Sequence, residues 1–83
     1  MVIGVYLERR EVEENIHRFY GIDVGQDLFG AWCVTRRWGR IGTRGRKLVS
    51  SFELEMEALE ESSRMSSEKA KRGYFAKELT ARL

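Results

Sequence analysis

Eighty-three residues with one cysteine and one histidine leave room for a single small domain. They exclude a disulfide framework, a cysteine-based zinc site and a histidine-rich metal centre. The net charge of +2 is mild, but it averages two opposite segments: residues 36–47 carry six basic and no acidic residues, and residues 53–61 five acidic and no basic ones.

The chain is 42% apolar and 34% charged, the balance of a folded globular protein. No apolar run approaches the ~20 residues of a membrane-spanning helix. The start, Met1 to Leu7, lacks the basic stretch of a secretory signal, and the lone Cys33 fits a reducing compartment. The expected setting is the cytoplasm, with no membrane partner.

Residues 2–9 read as a first strand, rich in β-branched and aromatic side chains, running into a polar connection from Glu8 to Glu11. Residues 15–24 read as a second strand. Ile16, Tyr20, Ile22 and Val24 share one parity, with Arg18 the exception, and His17, Phe19 and Asp23 lie on the other. Gly25-Gln26-Asp27 is a turn, and Gly30 marks a bend.

Residues 31–38 read as a third strand, with Trp32, Val34, Arg36 and Trp38 on one face and Ala31, Cys33, Thr35 and Arg37 on the other. Gly39 and Gly42 are expected to end the ladder. A turn over Gly42-Thr43-Arg44-Gly45 leads to a fourth strand, residues 46–52, so that Trp38-Gly39-Arg40 falls near a hairpin tip. Residues 54–71 switch to helical spacing, with acids leading and Lys69, Lys71 and Arg72 closing, as the helix dipole favours. Poor helix formers from Ser62 to Ser67 allow a kink. Residues 74–79 fit a last short strand, and Thr80 to Leu83 a frayed end. The expected fold class is α+β: an antiparallel sheet of four to five strands with one helix, about residues 54–71, on one face, as one domain over residues 1–83.

The chemistry concentrates in one segment. Both tryptophans and six of the fifteen basic residues fall within residues 32–47. A Trp beside a bend offers a flat surface for stacking, and Arg40 suits bidentate contact with a phosphate or base edge. Arg36, Arg37, Arg44, Arg46 and Lys47 would add salt-dependent attraction to a phosphate backbone. Gly39 permits the bend and leaves the chain open to close approach. Trp32 and Trp38 share a face, and the expected division gives Trp32 to the core and Trp38 to a ligand. The glutamates from Glu53 to Glu61 read as a solvated helix face, and His17 and Cys33 form no evident dyad. No nucleophile, paired acid and base or metal set is present, so neither an enzyme nor a cofactor is expected.

The extended pattern of an aromatic strand (Phe19-Tyr20-Gly21-Ile22-Asp23-Val24), the run Trp32-Cys33-Val34-Thr35-Arg36-Arg37-Trp38-Gly39-Arg40-Ile41-Gly42-Thr43 and the helix exit Lys71-Arg72-Gly73-Tyr74 resembles the WGR domain, over about residues 4–79. That family occurs in poly(ADP-ribose) polymerases that sense DNA breaks and as short stand-alone bacterial proteins, which this chain looks like. The resemblance implies a twisted antiparallel sheet with one helix and a non-catalytic role. It also implies that Trp38 packs on the sugar and base of a DNA end, and that Arg40 contacts nucleic acid or a neighbouring domain. The expected function is therefore a nucleic-acid-binding module, for DNA rather than RNA, acting at ends, nicks or single strands. The site would comprise Trp38, Gly39, Arg40, Arg36, Arg37, Arg44, Arg46 and Lys47. The alternative is a protein-interaction module that docks on a partner enzyme domain.

Overall fold

The computed structural model describes residues 2–82, and side chains over residues 4–78. The elements run β1 (Val2–Glu11), β2 (Ile16–Gln26), β3 (Trp32–Arg40), β4 (Arg46–Phe52), α1 (Glu55–Lys71) and β5 (Phe75–Arg82), with a short 3-10 turn at Val12–Glu14. The strands form one sheet in the order β4-β3-β2-β1-β5, every neighbouring pair antiparallel. The first four strands make a meander. α1 then crosses from one edge of the sheet to the other, which is why β5 adds beside β1. The fold is α+β, as expected.

One face of the sheet is apolar because side chains alternate along a strand. The register sets Leu7 opposite Tyr20, and Tyr20, Ile22 and Val24 opposite Trp38, Arg36 and Val34. The buried members of that face meet Ala58 and Met65 of α1, with Trp32, Trp38, Phe52, Leu59 and Tyr74 packed around them. Ala58 and Ser62 are buried, and their small side chains let the helix lie close on the sheet.

No break interrupts the helix between Ser62 and Ser67, where poor helix formers allowed one. α1 is continuous over 17 residues. Arg64 bridges to Glu61 and, at 2.7 Å, to Glu68, and the Ser66 hydroxyl donates to the Ser62 carbonyl at 3.0 Å, so local bonds and packing override weak propensity. The final strand also runs further than residues 74–79, because its backbone pairs with β1 as far as Arg82 opposite Val2. That pairing holds Thr80 to Arg82 in the sheet; Leu83 lies outside the described residues.

The connection expected from Glu8 to Glu11 is instead the end of β1, paired with Ile16 to Phe19. Glu8 points to the face away from α1 yet is buried, accepting hydrogen bonds from the Tyr6 hydroxyl (3.0 Å) and Arg10 Nε (3.1 Å). Tyr6 also stacks on Phe19, with ring centroids 6.0 Å apart. A small second cluster therefore backs the sheet. Burial pushes the Glu8 carboxyl up, but the Arg10 and Tyr6 hydrogen bonds and the Arg10 charge outweigh it and hold the group below the usual glutamate range. A lowered folded-state pKa contributes stability at neutral pH that is lost as pH falls through it. Urea unfolding between about pH 7 and about pH 3 is expected to show a steeper acid loss for the native chain than for Glu8→Gln, which cannot ionise at that position. Parallel curves would remove Glu8 from the acid transition.

Candidate nucleic-acid interface

Trp38-Gly39-Arg40 is not at a hairpin tip. It lies inside the β2–β3 ladder, with Trp38 opposite Tyr20, Gly39 opposite Phe19 and Arg40 opposite Arg18. The Ile41 N–H then donates to the His17 carbonyl at 2.9 Å, and only after it does the chain turn. Gly39 stays in the strand because the connecting loop folds back behind it: a Cβ there would lie 2.8 Å from the Gly45 Cα. The turn is fixed by Thr43, whose N–H and hydroxyl both donate to the Arg40 carbonyl, at 3.1 and 2.7 Å. Gly45, at φ +70°, closes over the Trp38 carbonyl and the Phe19 ring.

On the α1 face, the register builds three rows across the sheet. The middle row is Leu7, Tyr20, Trp38 and Arg46. Beside it on one side lies a row of guanidinium groups, Arg9, Arg18 and Arg40. On the other side lie Ile22, Arg36 and Leu48. The Trp38 ring stacks on Tyr20 with centroids 6.1 Å apart and planes 21° from parallel. Tyr20 meets Tyr74 edge to face at 6.4 Å, and the Lys69 ammonium sits 4.6 Å over the Tyr20 ring. Trp38 is thus held at a fixed angle and half-buried, which leaves part of its surface in solvent. Burial does not separate the two tryptophans: Trp32 is also half-buried, and both pack against the core.

The sequence-predicted cluster splits between the two faces, since a strand sends neighbours to opposite sides. Arg36, Trp38, Arg40 and Arg46 share the α1 face by register. Arg37 and Lys47, opposite each other in the ladder, lie on the far face. Arg44 sits in the loop, where its carbonyl accepts a 3.2 Å hydrogen bond from Arg37 Nη2. Arg18, Arg40 and Arg46 are exposed and make no ion pair among the described residues.

Arg9, Arg18, Lys69 and Arg72 join the α1 face without belonging to the basic run. A signal for Arg18 existed, as the lone charge on the apolar parity of β2. Arg9 and the helix residues are placed by pairing and packing between distant segments. Among the described residues no group of three or more His, Cys, Asp or Glu side chains could hold a metal, and no helix is long and apolar enough to cross a membrane.

Comparison with known proteins identifies the family of the fold. The family model for the WGR domain matches residues 4–81. An uncharacterized protein of Sinorhizobium fredii (strain NBRC 101917 / NGR234) is 39% identical over 70 residues, which is 84% of this chain and 34% of the relative. The chain thus spans about a third of that curated relative. The match to the family model covers the sheet, the helix and the signature alike, and the chain belongs to the WGR domain family, a module known in nucleic-acid-binding contexts.

Proposed function

We propose that this domain binds nucleic acid without catalysing a reaction, and that its substrate is DNA at an end, a nick or a single strand. The observation that carries this reading is the alignment of the exposed Arg18 and Arg40 beside the stacked Tyr20–Trp38 pair, in a row that ends at Arg9, itself paired with Glu11 at 2.8 Å. Guanidinium groups in a row neutralise successive phosphates. The exposed part of an immobilised indole stacks on a sugar or base with little loss of side-chain entropy, because the ring is already fixed. Trp38 and Arg40 form the centre of the site. Arg36 and Arg46 flank them, and Gly39 keeps the backbone in the ladder. Arg37, Arg44 and Lys47 contribute long-range attraction from the far face and the loop.

Fluorescence anisotropy with nicked, blunt and single-stranded DNA tests the assignment. Trp38→Ala is expected to weaken binding about ten-fold or more, the loss of one stacking contact. Arg40→Ala is expected to weaken it and reduce its salt dependence. If both variants bind as the native chain does, the site is wrong.

A second reading, docking on a partner protein, rests on the β2–β3 loop. Asp27 Oδ1 accepts hydrogen bonds from the N–H groups of Phe29 (2.8 Å) and Ala31 (3.0 Å), making a rigid turn. That turn leaves Leu28 and Phe29 at 99% and 94% exposure, an unusual position for adjacent large apolar side chains. A pull-down that retains a specific protein with native chain but not with Leu28→Ser/Phe29→Ser would favour it.

A further inference from the structure

A second charged site lies where the C-terminal half of α1 overhangs the sheet. A cleft of about 200 Å³ opens there, with Tyr20 and Met65 at its base. Arg36 enters it from β3, and Arg64, Lys69 and Arg72 from the helix. Its strand residue, Arg36, lies on the opposite side of the Tyr20–Trp38 row from Arg18 and Arg40, because Arg36 pairs with Ile22.

The charges in the cleft do not balance. Arg64 is committed to Glu61 and Glu68, and Glu68 is the acid that lines the cleft. Arg36, Lys69 and Arg72 make no ion pair among the described residues. The Arg36 Nε is buried and has no hydrogen-bond partner in the chain. Leaving a buried charged donor unsatisfied is costly, so such an atom in a native fold calls for an acceptor. Lys69 reports the same field independently. Burial first, then the charges of Arg72, Arg36 and Arg18, hold its ammonium below the usual lysine range, with Glu68 opposing. The helix dipole accounts for cations in the last turn, including the outward Lys71, but it does not account for Arg36, which comes from a strand.

The geometry selects the ligand class. Donors converge from the sheet and from the helix, which suits a tetrahedral oxyanion carrying more than one charge better than a planar, singly charged carboxylate. The cleft is smaller than the ~300–1,000 Å³ of sites for drug-sized molecules, and its size suits one or two phosphoryl groups. We propose that this cleft is a phosphate site in which Arg36, Lys69 and Arg72 hold one phosphoryl group. The phosphate comes either from a free anion or from a nucleic-acid strand bound at the Trp38 row. The site itself does not depend on which.

The test is an NMR titration of the arginine Nε–Hε signals with inorganic pyrophosphate, against sodium chloride of matched ionic strength. A saturable shift of the Arg36 and Arg72 signals is expected with pyrophosphate and not with chloride. Arg72→Gln, at an exposed position, and Lys69→Met, which keeps a side chain of similar size without the charge, are each expected to weaken binding about ten-fold, the loss of one hydrogen bond to a charged group. Lys77→Gln, exposed on β5 and outside the cleft, should bind pyrophosphate as the native chain does. Shifts that follow chloride equally across all arginines, or unchanged binding in both Arg72→Gln and Lys69→Met, would overturn the site. Displacement of pyrophosphate by a short single-stranded oligonucleotide assigns the phosphate to a strand, and simultaneous binding of both assigns it to a free anion. Trp38→Ala separates the two sites: it should weaken oligonucleotide binding about ten-fold or more and keep pyrophosphate.

Discussion

Gly45→Ala is expected to destabilise the fold by about 2–4 kcal/mol, from left-handed backbone strain and overpacking together. Gly45 has φ +70°, which a side chain disfavours. Its Cβ would also lie 2.1 Å from the Trp38 carbonyl oxygen and 2.9 Å from Phe19 Cζ. The first neighbour is backbone and the second a buried ring, so neither yields without moving β3 or the Tyr6–Phe19 cluster. Gly42 supplies the internal control. Its φ is +92°, but nothing lies within 4 Å of a Cβ there, so Gly42→Ala should cost only the conformational term, about 1–2 kcal/mol. Urea denaturation of the two variants distinguishes strain from close packing. Equal losses would mean that the Arg40–Gly45 loop does not press on the back of Trp38. The difference bears on function, because that loop is what fixes the strand carrying the indole.

The local patterns that built this fold were legible in the residues, and the non-local ones were not. The alternation of Tyr20, Ile22 and Val24 against Phe19 and Asp23 gave the apolar face of β2 correctly, and the helical spacing over residues 54–71 gave α1, whose buried residues are Ala58, Ser62 and Met65. Glu8 to Glu11 read as a connection because four charged residues in a row carry no apolar alternation. They extend a strand because β2 supplies nine consecutive pairing positions and Tyr6 and Arg10 satisfy Glu8. Gly39 read as a ladder break because the usual cost of glycine in a strand was visible, while the loop packed against it was not.

The site followed the same division. The basic run from Arg36 to Lys47 is one cluster along the chain and two clusters in space, since each step along β3 or β4 changes face. Arg9, Arg18, Lys69 and Arg72 reach the Trp38 face through strand register and helix packing between segments far apart in sequence. A linear charge count weights Arg37 and Lys47 equally with Arg36 and Arg46, and register removes that equality.

That removal has a measurable consequence. Arg18→Gln/Arg40→Gln/Arg46→Gln and Arg37→Gln/Arg44→Gln/Lys47→Gln each delete three positive charges, taking the net charge from +2 to −1 (2 − 3). Long-range attraction therefore falls equally in both, and any difference between them reports local contact with phosphates. If Arg18, Arg40 and Arg46 each neutralise a phosphate beside Trp38, the first variant loses about 0.7–0.9 from the slope of log affinity against log salt for each contact, or about 2–3 in all. Its affinity at low salt should fall about a thousand-fold or more, at a minimum of ~1.5 kcal/mol for each hydrogen bond to a charged group. The second variant should change the slope by less than about one, because its side chains are on the far face or in the loop. Anisotropy titrations over a series of salt concentrations read both slopes directly. Equal slopes would mean that nucleic acid does not distinguish the faces of the sheet, and the row of Arg18 and Arg40 would then be no more than solvated surface charge. Unequal slopes in the reverse sense would move the binding surface to the face that carries Arg37 and Lys47, with the half-buried Trp38 acting only in the core.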